Sequence, residues 1–212
     1  MTLVFLGLAC AAGCVTTSPK ATPAAYAHPT PPAAAAPAPA QPAAPSANEA
    51  DVEFMAGMIP HHAQAVIMAG WAPTHGARPD VAILCERIVV GQRDEIATMQ
   101  QWLREHGQEV PDATSTRHKM KMNGMTHDML MPGMMTDDQM AALDKARGPE
   151  FDRLFLEGMI RHHQGAIDMV DVLFKSYGAA QDELVFKFAT DVHADQSIEI
   201  DRMHEMLGDS AK

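Results

Sequence analysis

The sequence predicts an all-α protein, an antiparallel four-helix bundle built from two repeated helix hairpins behind a disordered N-terminal tether. Three observations carry that expectation. First, the chain repeats itself. Phe54, Gly57, Met58, Ile59, His61, His62, Ala65 and Met68 recur as Phe155, Gly158, Met159, Ile160, His162, His163, Ala166 and Met169. Downstream, Gln92, Glu95, Ile96 and Met99 recur as Gln196, Glu199, Ile200 and Met203. Second, Phe54, Met58, His61, Ala65 and Met68 follow helical spacing and make one stripe, as do their equivalents in the second half. Third, the Gly and Pro breakers fall between these stretches and leave no strand pattern.

The elements follow in order. Residues 1–14 read as an export signal, 15–50 as a linker and 51–207 as the bundle. Within the bundle, 51–107 is the first hairpin, 108–135 a Met-rich connector and 136–207 the second hairpin. Gly70, Pro73 and Gly76 close the first long helix. Pro60 inside it removes a hydrogen bond to Ala56 and predicts a kink; Arg161 stands at the equivalent place. Pro79-Asp80 opens the second helix, with Asp80 able to cap it, and Gly107 ends it. Thr136-Asp137-Asp138-Gln139 is a capping-box start for a short helix. Gly148-Pro149 ends that helix and opens the next. Gly178 and Gly208 end the last two.

The N-terminus reads as an address. The apolar run from Leu3 to Ala12 is too short to span a bilayer as a helix and fits the core of a secretory signal. Ala11-Ala12-Gly13-Cys14 resembles a bacterial lipobox, with Cys14 lipidated. Cys10 is a second candidate, and a plain cleaved signal is the alternative. All of these readings export the protein, to the periplasm or as an outer-membrane lipoprotein. The Ala/Pro-rich stretch that follows is expected to be an extended tether, because Pro at this density blocks helix propagation.

Composition narrows the function. A net charge of -11 offers no basic field for nucleic acid. Three Cys make no disulfide framework. Seventeen Met and eleven His exceed what a core needs, and these residue types together are soft and borderline metal ligands.

The His doublets are the first candidate ligands. Consecutive residues on a helix point about 100° apart. His61 and His162 therefore lie in the apolar stripe, and His62 and His163 at its edge. Met58 and Met159 precede the latter by four residues and neighbour them on the helix surface. If the halves pack stripe to stripe, the four His converge with Met58, Met159, Met68 and Met169. On helix four, His193 and Met203 share a stripe with Gln196, Ile200 and Leu207 and are further candidates. Glu95 and Glu199, with Gln92 and Gln196, are repeat-equivalent and are expected either to hydrogen-bond between helices or to support the His from behind. Cys85 reads as an inert buried thiol, with a soft metal ligand as the alternative.

The connector is the second. Between His118 and Met135 it holds seven Met and two His. Met120, Met122, Met125, His127 and Met129 are candidate ligands there. The segment has no 3.6-residue period, and Met exposed on a loop costs hydrophobic free energy and invites sulfoxide formation. Thioether sulfur favours Cu(I) and, by extension, Ag(I), and needs no deprotonation to bind. The competing reading is an apolar flap over the bundle.

Together, Phe-x-x-x-Met-Ile-x-His-His, Met-Pro-Gly-Met-Met-Thr-Asp-Asp-Gln-Met and Gln-x-x-Glu-Ile-x-x-Met resemble the bacterial family called domain of unknown function 305. That resemblance covers Asp51 to Leu207. It implies a ferritin-like four-helix fold and, because the family includes periplasmic copper-binding and copper-resistance proteins, a copper-binding role.

The expected function is an exported copper-binding protein, not an enzyme, that buffers or chaperones Cu(I) and Cu(II) and contributes to metal tolerance. Its partners would be the metal ion and a copper-exporting or copper-accepting protein, with the membrane touched only through a lipid anchor. Two alternatives stand beside it. A ferritin-like di-metal oxidase needs Glu-x-x-His motifs, and the nearest here is Asp201-x-x-His204, once. A helical scaffold would use its His and Met for packing alone.

Overall fold

The computed structural model describes residues 47–122 and 125–210. The signal, the lipobox and nearly all of the tether expected from the sequence lie outside them.

The chain is mostly helical, as the repeat predicts. α1 spans Glu49–Gly70, α2 Ala72–His75 and α3 Pro79–Glu105. After β1 (His118–Met122) and β2 (Met125–Met129) come α4 (Asp137–Lys145), α5 (Pro149–Lys175) and α6 (Glu183–Ser210). α1 packs along α3, α5 packs along α6, and the two hairpins meet where α1 lies against α5. Among the described residues, no helix is long and apolar enough to cross a membrane.

Local chemistry explains most boundaries. Asn48 caps α1, its side chain accepting from Ala50 N–H at 2.8 Å. Thr136 and Gln139 form the expected capping box at the start of α4. Pro79 and Pro149 occupy first-turn positions where a missing N–H costs nothing.

α1 continues through Pro60 to Gly70. Three expectations need correction. Asp80 does not cap α3: Arg78 holds the cap position, and Asp80, the second residue of the helix, pairs with the Arg78 side chain. α6 runs past Gly208 to Ser210, since glycine weakens a helix without ending it. The connector is not a plain loop. β1 and β2 pair antiparallel, with His118 opposite Met129, Met120 opposite His127 and Met122 opposite Met125. A period of two, not 3.6, organises it.

The core falls into two clusters that the repeat relates. One joins Phe54, Met55, Met58, Ile59, Met99, Trp102, Met169, Val170 and Val185. The other joins Met68, Val81, Leu84, Cys85, Phe151, Phe155, Met159 and Met203. Each long helix gives one half to each cluster. On α5 a polar stretch, Arg161 to Gln164, lies between the clusters, and the repeat-equivalent His61 and His62 of α1 stand beside it.

Candidate metal centre

The layer between the clusters is made of His61 and His62 from α1 and His162 and His163 from α5, all fully buried. The repeat produces it. The helical stripe carries His61 and His162 to the α1–α5 contact, where their ring centroids lie 3.8 Å apart. His62 and His163, expected at an edge, are equally buried because α3 and α6 cover them. His62 Nε2 lies 2.8 Å from Glu95 Oε2, off the hydrogen-bond line. His163 Nε2–H donates to Glu199 Oε2 at 2.7 Å. Of the two repeat-equivalent glutamates, Glu199 is thus a hydrogen-bond partner of its His, and Glu95 lies close to His62 without a hydrogen bond. Gln92 and Gln196 are buried beside them. A cleft of about 290 Å³ between α3 and α6, lined by Gln92, Glu95, Gln196 and Glu199, reaches the outer side of these carboxylates.

The layer is under-paired. His61 Nδ1, His62 Nδ1, both ring nitrogens of His162, His163 Nδ1, and the Oε1 atoms of Gln92 and Gln196 are buried without a hydrogen-bond partner in the protein. Each such atom costs about 1–3 kcal/mol, against a net stability of roughly 5–15 kcal/mol for a domain. Stability alone does not account for them. Burial, with His62 as neighbour, pushes the His61 imidazole down to about 3. Burial beside His61 and His163 likewise holds His162 well below the usual range. Both rings are therefore neutral at physiological pH, the state in which imidazole binds a metal. His61 Nε2–H donates to the Pro132 carbonyl at 3.0 Å, which leaves Nδ1 as its lone-pair nitrogen. Among the described residues, however, no three His, Cys, Asp or Glu side chains converge on one point as a metal cage. An ion held here would take few imidazoles, with thioether as the other available donor.

The candidate methionines divide. Met58, Met159, Met68 and Met203 are fully buried and Met169 nearly so. They sit in the two core clusters on either side of the imidazoles, Met58 and Met169 in one, Met159, Met68 and Met203 in the other. His193 does not join the interior: it is exposed on α6, one position beyond the buried Val192. Met125, His127 and Met129 are exposed and Met120 half-buried. The hairpin that carries them is pinned to α1 by His118, whose Nε2–H donates to Glu53 at 3.0 Å. Glu53 lies eight residues before His61, roughly 12 Å along the helix axis. Met122 belongs to the same hairpin by register.

The part of the connector that reaches the layer is the stretch after the hairpin, which the ligand expectations passed over. Pro132-Gly133 crosses α5 so closely that a Cβ on Gly165 would stand 2.0 Å from the Pro132 oxygen. Gln64 clasps Met135 from both sides, donating to its carbonyl at 2.9 Å and accepting from its N–H at 2.7 Å. Met131 sits against Gly57 with Met169, and Met135 against Gly158 with Met68. The repeated glycines are seats for these sulfur side chains. The Met-Pro-Gly-Met-Met signature marked the segment, but only the fold shows what it covers.

Fold and site together define a class: a repeated helical-hairpin protein with imidazoles layered between methionine-rich cores. The chain belongs to the family described as Domain of unknown function (DUF305), whose model matches residues 51–207. A DUF305 fragment from Deinococcus radiodurans is 27% identical, with 77% of this chain and 99% of that one covered at a TM-score of 0.63. A DUF305 protein from Streptomyces coelicolor shares the fold at 23% identity and a TM-score of 0.64, covering 76% of this chain and 94% of its own. CopM in its Cu(I)-bound form is 28% identical at a TM-score of 0.56, with 75% of this chain and 96% of that one covered. CopM is also known in Cu(II)-bound and Ag-bound forms. Comparison with curated protein sequences finds no match.

Proposed function

We propose that this protein binds copper, as an exported buffer or chaperone rather than an enzyme, and contributes to metal tolerance. One observation carries the reading: fully buried imidazoles with unpaired nitrogens lie among clusters rich in methionine sulfur. Imidazole accommodates Cu(II) and thioether favours Cu(I), so a mixed set tolerates both states. Cu(I) is also content with two or three ligands, which suits a layer without a multidentate cage. The likeness to CopM supports the choice of metal. The apolar leader and Gly13-Cys14 or Cys10 supply export and a lipid anchor, and a copper-exporting or copper-accepting protein is the expected partner. A di-metal oxidase is disfavoured, because Asp201-x-x-His204 ends in an exposed His.

The test is competition of the metal-free protein against a chromophoric Cu(I) chelator without oxygen, and a parallel Cu(II) titration. Wild type is expected to hold at least one ion tightly. His62→Gln with His163→Gln is expected to weaken it. Ligand at about a hundred times Kd would raise stability by roughly 2.7 kcal/mol. An unchanged melting temperature in excess copper, with equal competition by wild type and variant, would leave the imidazoles as packing groups.

A further inference from the structure

The β-hairpin presents a pattern that the buried layer does not explain. β1 reads His-Lys-Met-Lys-Met and β2 reads Met-Thr-His-Asp-Met. The antiparallel register sets His118 opposite Met129, Met120 opposite His127 and Met122 opposite Met125. Strand residues two apart share a face. One face therefore carries these six His and Met positions and nothing else. The other carries Lys119 opposite Asp128 and Lys121 opposite Thr126. A strand face rich in Met is ordinarily turned inward. Here β1 turns its half of that face towards α1, with His118 buried and Met120 half-buried, while β2 is exposed along its whole length, with Met125 61% and Met129 40% accessible.

We propose that this face is a second metal site, reached from solvent along β2, for a soft monovalent ion, Cu(I) or Ag(I), held by Met120 and His127 with Met125 or Met129. Directly opposed strand residues have Cβ atoms about 4.5–5.5 Å apart, and diagonal ones remain within reach of long side chains. Met120 and His127 thus face each other across one ion, and a neighbouring thioether completes three-coordination. Glu49 and Glu53 line the pocket that holds Met120, placing carboxylates near an incoming cation. His118 is occupied with Glu53 and serves as the anchor. A two-stranded hairpin is marginal by itself, so an ion bridging both strands also orders it. The proposal rests on the reading of the chain as a metal binder, but on none of the buried imidazoles.

The experiment uses the metal-free full chain with Ag(I), and Cu(I) without oxygen, counted by native mass spectrometry. Three variants are compared. The soft-face variant carries Met120→Leu, Met125→Leu, Met129→Leu and His127→Asn. The opposite-face control carries Lys119→Thr and Asp128→Thr, and the buried-layer variant His62→Gln and His163→Gln. The soft-face variant is expected to lose one Ag(I) equivalent, or to hold it at least tenfold more weakly. The other two are expected to keep that ion. In wild type, Ag(I) is expected to move the Met120, Met125 and Met129 methyl resonances, a readout independent of any variant's folding. Unchanged Ag(I) stoichiometry and affinity in the soft-face variant would overturn the proposal, as would methyl resonances that do not respond. Loss of the hairpin ion in the buried-layer variant would also overturn it, by making the two sites one. Retention of the hairpin ion by a protein whose buried layer takes no copper would support it and remove the earlier reading instead.

Discussion

The imidazole of His61 lies over that of His162, ring centroids 3.8 Å apart and planes tilted by 39°. Two rings this close, both fully buried, cannot both carry a proton without strong repulsion. His62 and His163 face them along the same helices, and Glu95 and Glu199 close the layer from α3 and α6.

Stability of the metal-free protein is therefore expected to fall with acid. Folded His61 holds its proton only near pH 3, well below the unfolded value near 6.5. Between those values the unfolded chain binds more protons, so the full contribution is present above about pH 6.5 and is lost as pH falls. The slope is about 1.4 kcal/mol per pH unit for each imidazole that protonates on unfolding. Asp51 and Asp152, whose carboxyls burial pushes up, act in the opposite sense nearer the carboxylate range. Urea midpoints at pH 7.5, 6.5 and 5.5 in the presence of a chelator measure this. A flat profile would mean that the layer accepts protons while folded.

The strap over α5 gives a prediction with a built-in control. Gly165→Ala would drive a Cβ into the Pro132 backbone at 2.0 Å, with Gly133 N at 2.7 Å behind it. Backbone cannot swing aside as a side chain can, so a loss of more than about 2 kcal/mol is expected, despite a gain in helix propensity of roughly 1 kcal/mol. Gly91→Ala, in α3 with nothing within 4 Å of the new atom, is expected to stabilise by about 0.5–1 kcal/mol. Denaturation midpoints of opposite sign would confirm the close approach; equal signs would count against it.

The bundle was legible because its signals are local and doubled. A 3.6-residue stripe that recurs with the same His, Met and Gly residues specifies helices, their buried faces and their pairing at once. The burial of His62 and His163 was harder to read, since a helix projection shows one neighbour and these rings are covered by a second. His193 misled for the same reason: a one-residue rotation on α6 separates it from Val192 and from the interior. The hairpin was readable in principle. Its donors alternate with Lys, Thr and Asp, the period of a strand. A search for helical periods passes over it. The Gln64 clasp on Met135 joins residues far apart in the chain, with no local pattern to announce it.

Cys85 provides a further test of the second core cluster. It is 1% accessible, and burial pushes its thiol up to about 12. Thiolate is the reactive form, so folded protein at pH 8 is expected to resist iodoacetamide at this residue. Alkylation should then appear only with the urea unfolding transition, as measured by mass of the Cys85 peptide. Rapid labelling under native conditions would show that this end of the bundle opens readily.

The repeat also builds a reciprocal clasp. Asp51, at the start of α1, accepts from the Ala180 N–H at 2.7 Å in the turn between α5 and α6. Its equivalent Asp152, at the start of α5, accepts from the Arg78 N–H at 3.3 and 3.4 Å in the turn before α3. Each half thus holds the other's turn. Ala180 is the one described non-glycine residue at positive φ, +53°, a strained backbone that the Asp51 bond secures. Asp51→Ala would bury the Ala180 N–H unpaired, and a loss of about 1–3 kcal/mol is expected. Asp51→Asn keeps an acceptor and removes a charge that burial disfavours, so its effect should stay within about 1 kcal/mol of wild type. Asp152→Ala, losing longer bonds, is expected to cost less than Asp51→Ala. Chemical denaturation of the three variants decides: equal losses for Asp51→Asn and Asp51→Ala would mean that the charge, not the hydrogen bond, holds the turn.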